Sequence, residues 1–187
     1  MYRLEIEALD LGADVRAVAL ELTEADENRE PVRGADAARI WARVLEATAA
    51  NEPWALDFFS HLDRVKDYCT SHGIAYRQAS QRSIVVPAPE DAILEALLGR
   101  FEGETFGARA GARMAAGAAA DSALETDLAR RGVDAYHLAF ANYFFCAVCA
   151  FEDGSLVLLS ERLGAGEVTR RVRPVVKNIG VEVQLPN

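Results

Sequence analysis

The stretch YHLAFANYFFCAVCAF, residues 136–151, contains the most apolar run of the chain, and it predicts the central strand of the fold. Read as one long strand, it carries apolar side chains on both faces, so both faces must be covered. Asp153-Gly154 follows it and predicts a turn into a partner strand at 156–159. Helices would cover one face, and a second sheet, a ligand or another copy of the chain would cover the other. Complete coverage within the monomer is the alternative.

The N-terminal residues predict a second hairpin. Residues 2–8 alternate between apolar and charged side chains, as a half-buried strand does. Residues 15–22 repeat this pattern after a turn, and the two segments predict an antiparallel pair.

Other segments show helical spacing or short strand patterns. Apolar residues three and four apart predict helices at 36–51, 53–73, 89–98, 122–132 and 167–176. Short strands are predicted at 74–76, 83–86 and 181–185. The sum is an α+β fold with mainly antiparallel sheets packed by helices.

The 187 residues suit a single globular domain of residues 1–187. Residues 103–120 are almost entirely Gly, Ala and Arg, which predicts a connector between an N-terminal half, 1–102, and a C-terminal half, 121–187. Each half reads as helix, two antiparallel strands, helix. This order would fit a weak internal duplication, although chance similarity is the favoured interpretation.

The charge balance narrows the function classes. The chain has 20 basic and 29 acidic residues, a net charge of −9, which argues against a sequence-independent nucleic-acid binder. No run approaches the roughly 20 apolar residues of a membrane helix, and the acidic N-terminus does not fit a signal peptide. Three cysteines are an odd set, so we expect a cytoplasmic protein. Only Lys66 and Lys177 among the basic residues are lysine, and with the abundant alanine this indicates a bacterial origin.

Two short motifs could together hold zinc. Cys69-x-x-His72 and Cys146-x-x-Cys149 supply a Cys₃His set, which suits tetrahedral zinc. Against this, residues three apart on a strand face opposite sides of a sheet. Buried cysteines that act as small apolar residues are the simpler interpretation, so no cofactor is expected unless the four side chains converge.

A weak anion site and a weak general base are also conceivable. Arg109 and Arg113 lie among glycines and could clamp an anionic ligand, although a flexible Ala/Gly connector explains the segment better. His137 is the one catalytic candidate, as a general base. No nucleophile signature accompanies it.

A basic cluster near the C-terminus contrasts with an acidic segment at 21–30. Opposite charges on one molecule can steer self-association or recruit a partner, although charge runs are often simply solvated. The predicted partner-binding residues are Arg162, Arg170, Arg171, Arg173 and Lys177.

Two functions from different classes follow. The first is a non-catalytic protein-interaction or regulatory module that forms a homodimer or binds a protein partner. The second is a small enzyme or ligand-binding domain that takes an anionic metabolite at the junction of the two halves. A zinc-stabilised module is a third hypothesis. Of the three, the sequence favours the non-catalytic module over the enzyme.

Overall fold

The computed structural model describes residues 1–11, 16–87, 91–115 and 122–185. It has the predicted α+β class, with helices packed on a nine-stranded sheet. The strands are β1 (Tyr2–Asp10), β2 (Arg16–Glu24), β3 (Trp54–Phe58), β4 (Arg77–Ser80), β5 (Ser83–Pro87), β6 (Phe106–Ala110), β7 (Phe145–Ala150), β8 (Ser155–Leu159) and β9 (Val181–Gln184). The helices are α1 (Gly34–Ala49), α2 (Leu62–Ser71), α3 (Asp91–Arg100), α4 (Ala112–Ala115), α5 (Ser122–Arg131), α6 (Tyr136–Ala139) and α7 (Ala165–Lys177).

The strand order across the sheet is β4-β5-β3-β6-β7-β8-β2-β1-β9. All neighbouring strands are antiparallel except β1 and β9, which are parallel. The predicted N-terminal hairpin is confirmed as β1–β2, and the predicted turn at Gly154 connects β7 to β8. Gly154 has a φ of 68°, the left-handed conformation that glycine adopts without steric cost.

A strand hairpin followed by a helix and a third strand occurs three times: β1-β2-α1-β3, β4-β5-α3-β6 and β7-β8-α7-β9. The helices α1, α3 and α7 pack on the same face of the sheet, over one large apolar core. This order differs from the predicted division into two similar halves, and an internal duplication is not confirmed.

The opposite face of the sheet is covered over part of its width. Residues 122–143, called the cap below, contain α5, α6 and two short 3₁₀ turns, and they build a second apolar cluster on this face. Phe145 and Cys149 of β7 face the large core, whereas Cys146 faces the cap, and all three are fully buried. The chain itself therefore covers both faces of β7 where these residues lie, and β7 no longer gives a reason to expect a second copy or a ligand.

The predicted helix at 53–73 is wrong in its first part. Trp54, Leu56 and Phe58 alternate along β3 and face the large core, and a helix begins only at Leu62. The spacing of Leu56, Phe59 and Leu62 fits a helix equally well, so the apolar pattern alone does not separate the two.

The predicted connector at 103–120 is also wrong for its best-described part. Residues 106–110 form β6, a buried strand near the middle of the sheet. Small residues hid it, because Gly107, Ala108 and Ala110 give no apolar alternation of the usual kind. Residues 116–120 lie outside the described residues.

The long strand predicted at 136–151 is shorter. Residues 136–142 are helical, and the strand proper is Phe145–Ala150. A continuous apolar run does not distinguish a buried helix from a buried strand. The helix predicted at 167–176 is confirmed as α7, which continues past Pro174 to Lys177. No helix within the described ranges is long and apolar enough to cross a membrane.

Candidate functional site

A cluster of charged and phenolic side chains lies between the cap and the sheet. Its centre is Asp57 on β3 and Arg109 on β6, which are 2% and 1% exposed. The Arg109 Nε donates to Asp57 Oδ2 at 2.8 Å, and its Nη2 donates to Oδ1 at 2.7 Å. This is a bidentate ion pair, the strong form of an arginine–carboxylate contact.

Two tyrosines bring the cap onto this pair. The Tyr136 hydroxyl donates to Asp57 Oδ2 at 2.5 Å, and Arg109 Nη1 donates to the Tyr143 hydroxyl at 2.8 Å. The Arg109 guanidinium also lies over the Tyr143 ring, 5.1 Å from its centre. These bonds connect the sheet to both ends of the segment 136–143.

A second bidentate pair extends the cluster toward the edge of the sheet. Arg77 on β4 donates to both carboxylate oxygens of Glu125 on α5, at 2.7 and 2.5 Å. Glu125 Oε1 also lies 3.8 Å from Arg109 Nη2. The two pairs thus form one network of alternating charges, called the buried network below.

Gly107 makes the space for this arrangement. It pairs with Asp57 across β3 and β6, and a Cβ at Gly107 would lie 1.9 Å from the Tyr136 hydroxyl oxygen. No other residue type fits beneath the Tyr136 ring without displacing it.

Burial and neighbouring charges shift the pKa values of Arg109 and Tyr136 in this network. Burial alone would lower the pKa of Arg109, but the adjacent Asp57 carboxylate outweighs it and the pKa rises. Burial, with Asp57 beside it, raises the pKa of Tyr136. Arg109 therefore stays charged and Tyr136 stays neutral, and both side chains are buried. Such a network can fix the cap on the sheet, but its central pair offers no accessible group to a substrate.

The predicted anion and catalytic residues do not form a site together. Arg109 is buried and paired with Asp57, whereas Arg113 is exposed on α4. His137 is exposed as well, and its Nδ1 lies 2.6 Å from the Asp134 carbonyl oxygen. The neighbouring Tyr136, not His137, points into the buried network.

The four predicted zinc ligands do not converge. Cys146 faces the cap, while Cys69 and Cys149 lie in the large core on the other side of the sheet. His72 is exposed and stacks on Tyr68, with 4.1 Å between ring centres. Burial raises the pKa of all three thiols, which makes them poor metal ligands. In the part of the chain that the structure describes, no group of three or more His, Cys, Asp or Glu is arranged to hold a metal ion.

The predicted basic cluster divides into two parts. Arg170 and Arg171 both donate to Glu167 one turn earlier on α7. Arg171 also donates to the Thr48 carbonyl and lies over the ring of Phe144, the residue before β7, so it joins α7 to α1 and to the start of β7. These two arginines are committed to contacts within the chain.

The other part of the cluster lines a surface groove at the edge of the sheet. This β9 groove has a volume of about 450 Å³ and lies between the C-terminal half of α7 and β9. Arg173 and Lys177 supply its cations. The remaining lining residues are Met1, Gly180, Val181, Glu182 and Val183. Arg162 is exposed and is not part of the lining.

The backbone of β9 is open on the side away from β1. The Tyr2 amide donates to the Gly180 carbonyl, and Tyr2 is in register with Val181. In a parallel ladder with this register, the amides of Glu182 and Gln184 face β1, so those of Val181 and Val183 face the free edge. Within the described residues, no strand pairs with that edge.

Sequence reasoning found the cations of the groove but missed the buried network. Arg173 and Lys177 stood out as part of a charge run, and their spacing of four residues places them on one helix face. Asp57 gave one available signal, a carboxylate inside an otherwise apolar segment, but nothing in the sequence pointed to Tyr136 as its partner.

Comparison with known proteins identifies no relative: no family profile, no curated protein and no solved structure matches this chain.

Proposed function

We propose that the protein is a non-catalytic interaction module that binds an extended segment of a partner protein at the free edge of β9. The partner segment adds a strand to the sheet, and its side chains enter the β9 groove. Strand addition of this kind draws affinity from main-chain hydrogen bonds and specificity from pockets that take alternate side chains.

The observation that carries the proposal is an open strand edge beside a groove that is lined by two cations, one carboxylate residue and an apolar floor. Proteins commonly protect exposed edges with charged residues, bulges or covering loops. Here Val181 and Val183 direct their amides outward beside the groove that Arg173 and Lys177 line. On a chain with a net charge of −9, this local positive charge favours an anionic partner.

A second copy of the chain is a poorer occupant than a different protein. Antiparallel pairing of two β9 strands about a two-fold axis places both α7 helices on the same face of the joined sheet. Arg173 and Lys177 of one copy would then approach those of the other, and like charges oppose such a contact. The expected self-association is thus less well supported than a heterologous partner.

The enzyme and zinc alternatives receive less support from the geometry. Arg109 is enclosed, His137 lies apart from it, and the cysteines face opposite sides of β7. Neither alternative therefore has an accessible set of groups among the described residues.

The test is a selection of linear peptides from a random display library on the intact protein. Selected peptides are then measured against Val183→Pro, in which the outward amide is lost. Proline is tolerated on an edge strand where the amide faces solvent, so the fold should persist. Val183→Thr keeps both the amide and the side-chain shape and serves as the control.

We expect the selected peptides to bind the wild type and Val183→Thr but not Val183→Pro, and to shift the NMR amide signals of β9 and the end of α7. Equal binding to Val183→Pro, or shifts confined to other elements, would overturn the proposal. Sedimentation of the free protein decides the occupant: a dimer that Val183→Pro abolishes assigns the edge to a second copy instead.

A further inference from the structure

Resting on the proposed function, we infer that the segment bound at β9 carries two carboxylate side chains two residues apart, one held by Arg173 and the other by Lys177. The intervening residue is not acidic. The partner chemistry is therefore an extended acidic peptide with an acidic–other–acidic core.

The distance between the two cations on α7 matches the distance between alternate residues of a β-strand. Four residues along an α-helix advance about 6 Å, so the Cα atoms of Arg173 and Lys177 are separated by about this distance along α7. Two residues along a β-strand advance about 6.5 Å and bring side chains back to the same face. Alternate residues of an added strand thus match the two cations.

The topology places α7 alongside β9, so a strand added to β9 runs close to the two cations of α7. The chain leaves α7 at Lys177, turns at 178–180 and returns along β9, so α7 runs antiparallel to β9 beside it. Lys177 is then level with the start of β9, and Arg173 is level with its later residues. A strand added at the free edge passes both cations in turn.

The face of β9 that points away from α7 explains why the peptide residue between the two carboxylates is not acidic. Val181 belongs to the large core, and Val183 packs against it, so both point to the α7 side. Glu182 points to the opposite face, next to Arg3 of β1 in the parallel register, and is exposed. An acidic intervening residue would lie beside Glu182 and be repelled, since like charges on neighbouring strands are destabilising.

The same geometry separates this partner from a second copy. In a symmetric β9 pair, the face toward α7 receives Val181 and Val183 from the other copy, and it receives no carboxylate. The acidic pattern therefore belongs to a different chain.

Two labelled peptides of equal composition test the inference on the full-length protein. One has the core Val-Glu-Lys-Glu-Val and the other has Val-Lys-Glu-Glu-Val, so only the position of the charges differs. We expect the first peptide to bind roughly tenfold more tightly, as two exposed ion pairs allow, and to weaken as salt is raised.

A charge-reversal series supplies the controls. Arg173→Glu/Lys177→Glu should lose the preference and instead bind a Val-Lys-Glu-Lys-Val peptide. The control Arg82→Glu/Arg162→Glu changes the net charge equally at two exposed sites outside the groove, one of them in the β4–β5 turn at the opposite edge of the sheet. It should keep the wild-type preference.

The outcomes separate the inference from the proposed function. Equal affinity for both peptides, lost in Val183→Pro, overturns the acidic pattern and leaves strand addition intact. No binding of either peptide to the wild type also overturns the acidic pattern, while the library selection decides on strand addition. Loss of preference in the control variant would show a general charge effect and would overturn the assignment to Arg173 and Lys177.

Discussion

Among the arginine–carboxylate pairs of this protein, two groups with similar distances have different surroundings. The buried network joins Asp57, Arg109, Glu125 and Arg77 beneath the cap, with the central pair at most 2% exposed. The second group joins Glu167 on α7 to Arg170, whose side chain is 72% exposed, and to Arg171, whose side chain is 21% exposed. The distances are alike in both groups, since the hydrogen bonds within these pairs are 2.5–2.8 Å long.

The distances within an ion pair alone do not set how much stability is lost when one partner is removed. Water screens an exposed pair and solvates either partner when the other is lost. A buried charge has no such substitute, so removing its partner leaves an uncompensated charge in a low-dielectric interior. The following experiments test this difference, from the largest expected effect to the smallest.

Arg109→Met should produce the largest loss, because it leaves Asp57 buried without its partner. We expect the free energy of unfolding to fall by about 3–5 kcal/mol. Urea denaturation followed by circular dichroism measures it. Arg170→Met, the same substitution at the exposed arginine, should lower the transition midpoint far less, because water solvates Glu167 when its partner is lost.

The double variant Asp57→Leu/Arg109→Met sharpens this result. It removes both charges of the central pair, so its loss should be smaller than that of Arg109→Met alone. A double variant at least as unstable as the single variant would contradict the view that the unpaired carboxylate causes the damage.

Gly107→Ala should destabilise the protein by about 1–3 kcal/mol, the usual cost of overpacking. The added methyl group would collide with the Tyr136 ring and push it away from Asp57. Gly166→Ala is the matched control, since a Cβ there meets no atom within 4 Å and lies in a helix. That control should stabilise the protein by about 0.5–1 kcal/mol. Equal effects of the two substitutions would refute the role of Gly107.

The smallest effect concerns the titration of Glu167. Hydrogen bonds from Arg170 and Arg171 lower the pKa of Glu167 from 4.5 to about 2. A depressed carboxyl pKa contributes stability above the unfolded value, and this contribution disappears as the pH falls from 4.5 toward 2. An NMR titration of the side chain should show the low pKa, and Arg170→Ala should raise it toward the ordinary value. Arg162→Ala should leave it unchanged, and an equal rise there would contradict the local assignment.

The elements best predicted from the sequence were those with a clean period. The alternation of Leu4 and Ile6 with charged residues predicted β1, and the apolar stripe of Ile40, Trp41 and Val44 predicted α1. The misassigned elements have ambiguous patterns. β3 reads as a helix because its apolar residues also fit helical spacing, and β6 is too rich in small residues to read as a strand at all.

The residues of the candidate sites also differ in how far the sequence predicted them. The charge run on α7 made Arg173 and Lys177 visible, but the sequence did not separate them from Arg170 and Arg171. The structure separates them because Arg170 and Arg171 donate to Glu167, and Arg171 also packs over the Phe144 ring. Asp57 and Arg109 are 52 residues apart, and Tyr136 follows 79 residues after Asp57, so no local pattern connects them.

The sequence by itself determined the α+β class, the N-terminal hairpin, the boundaries of α1 and α7 to within a few residues, and the uneven distribution of charge. These properties follow from local periodicity and composition, which a chain displays before it folds. Only the tertiary structure decided that β7 is covered on both faces by its own chain, that Arg109 is enclosed, and that β9 presents a free edge beside two cations. Those properties depend on which distant segments pack together, and packing is settled by the complementarity of whole surfaces.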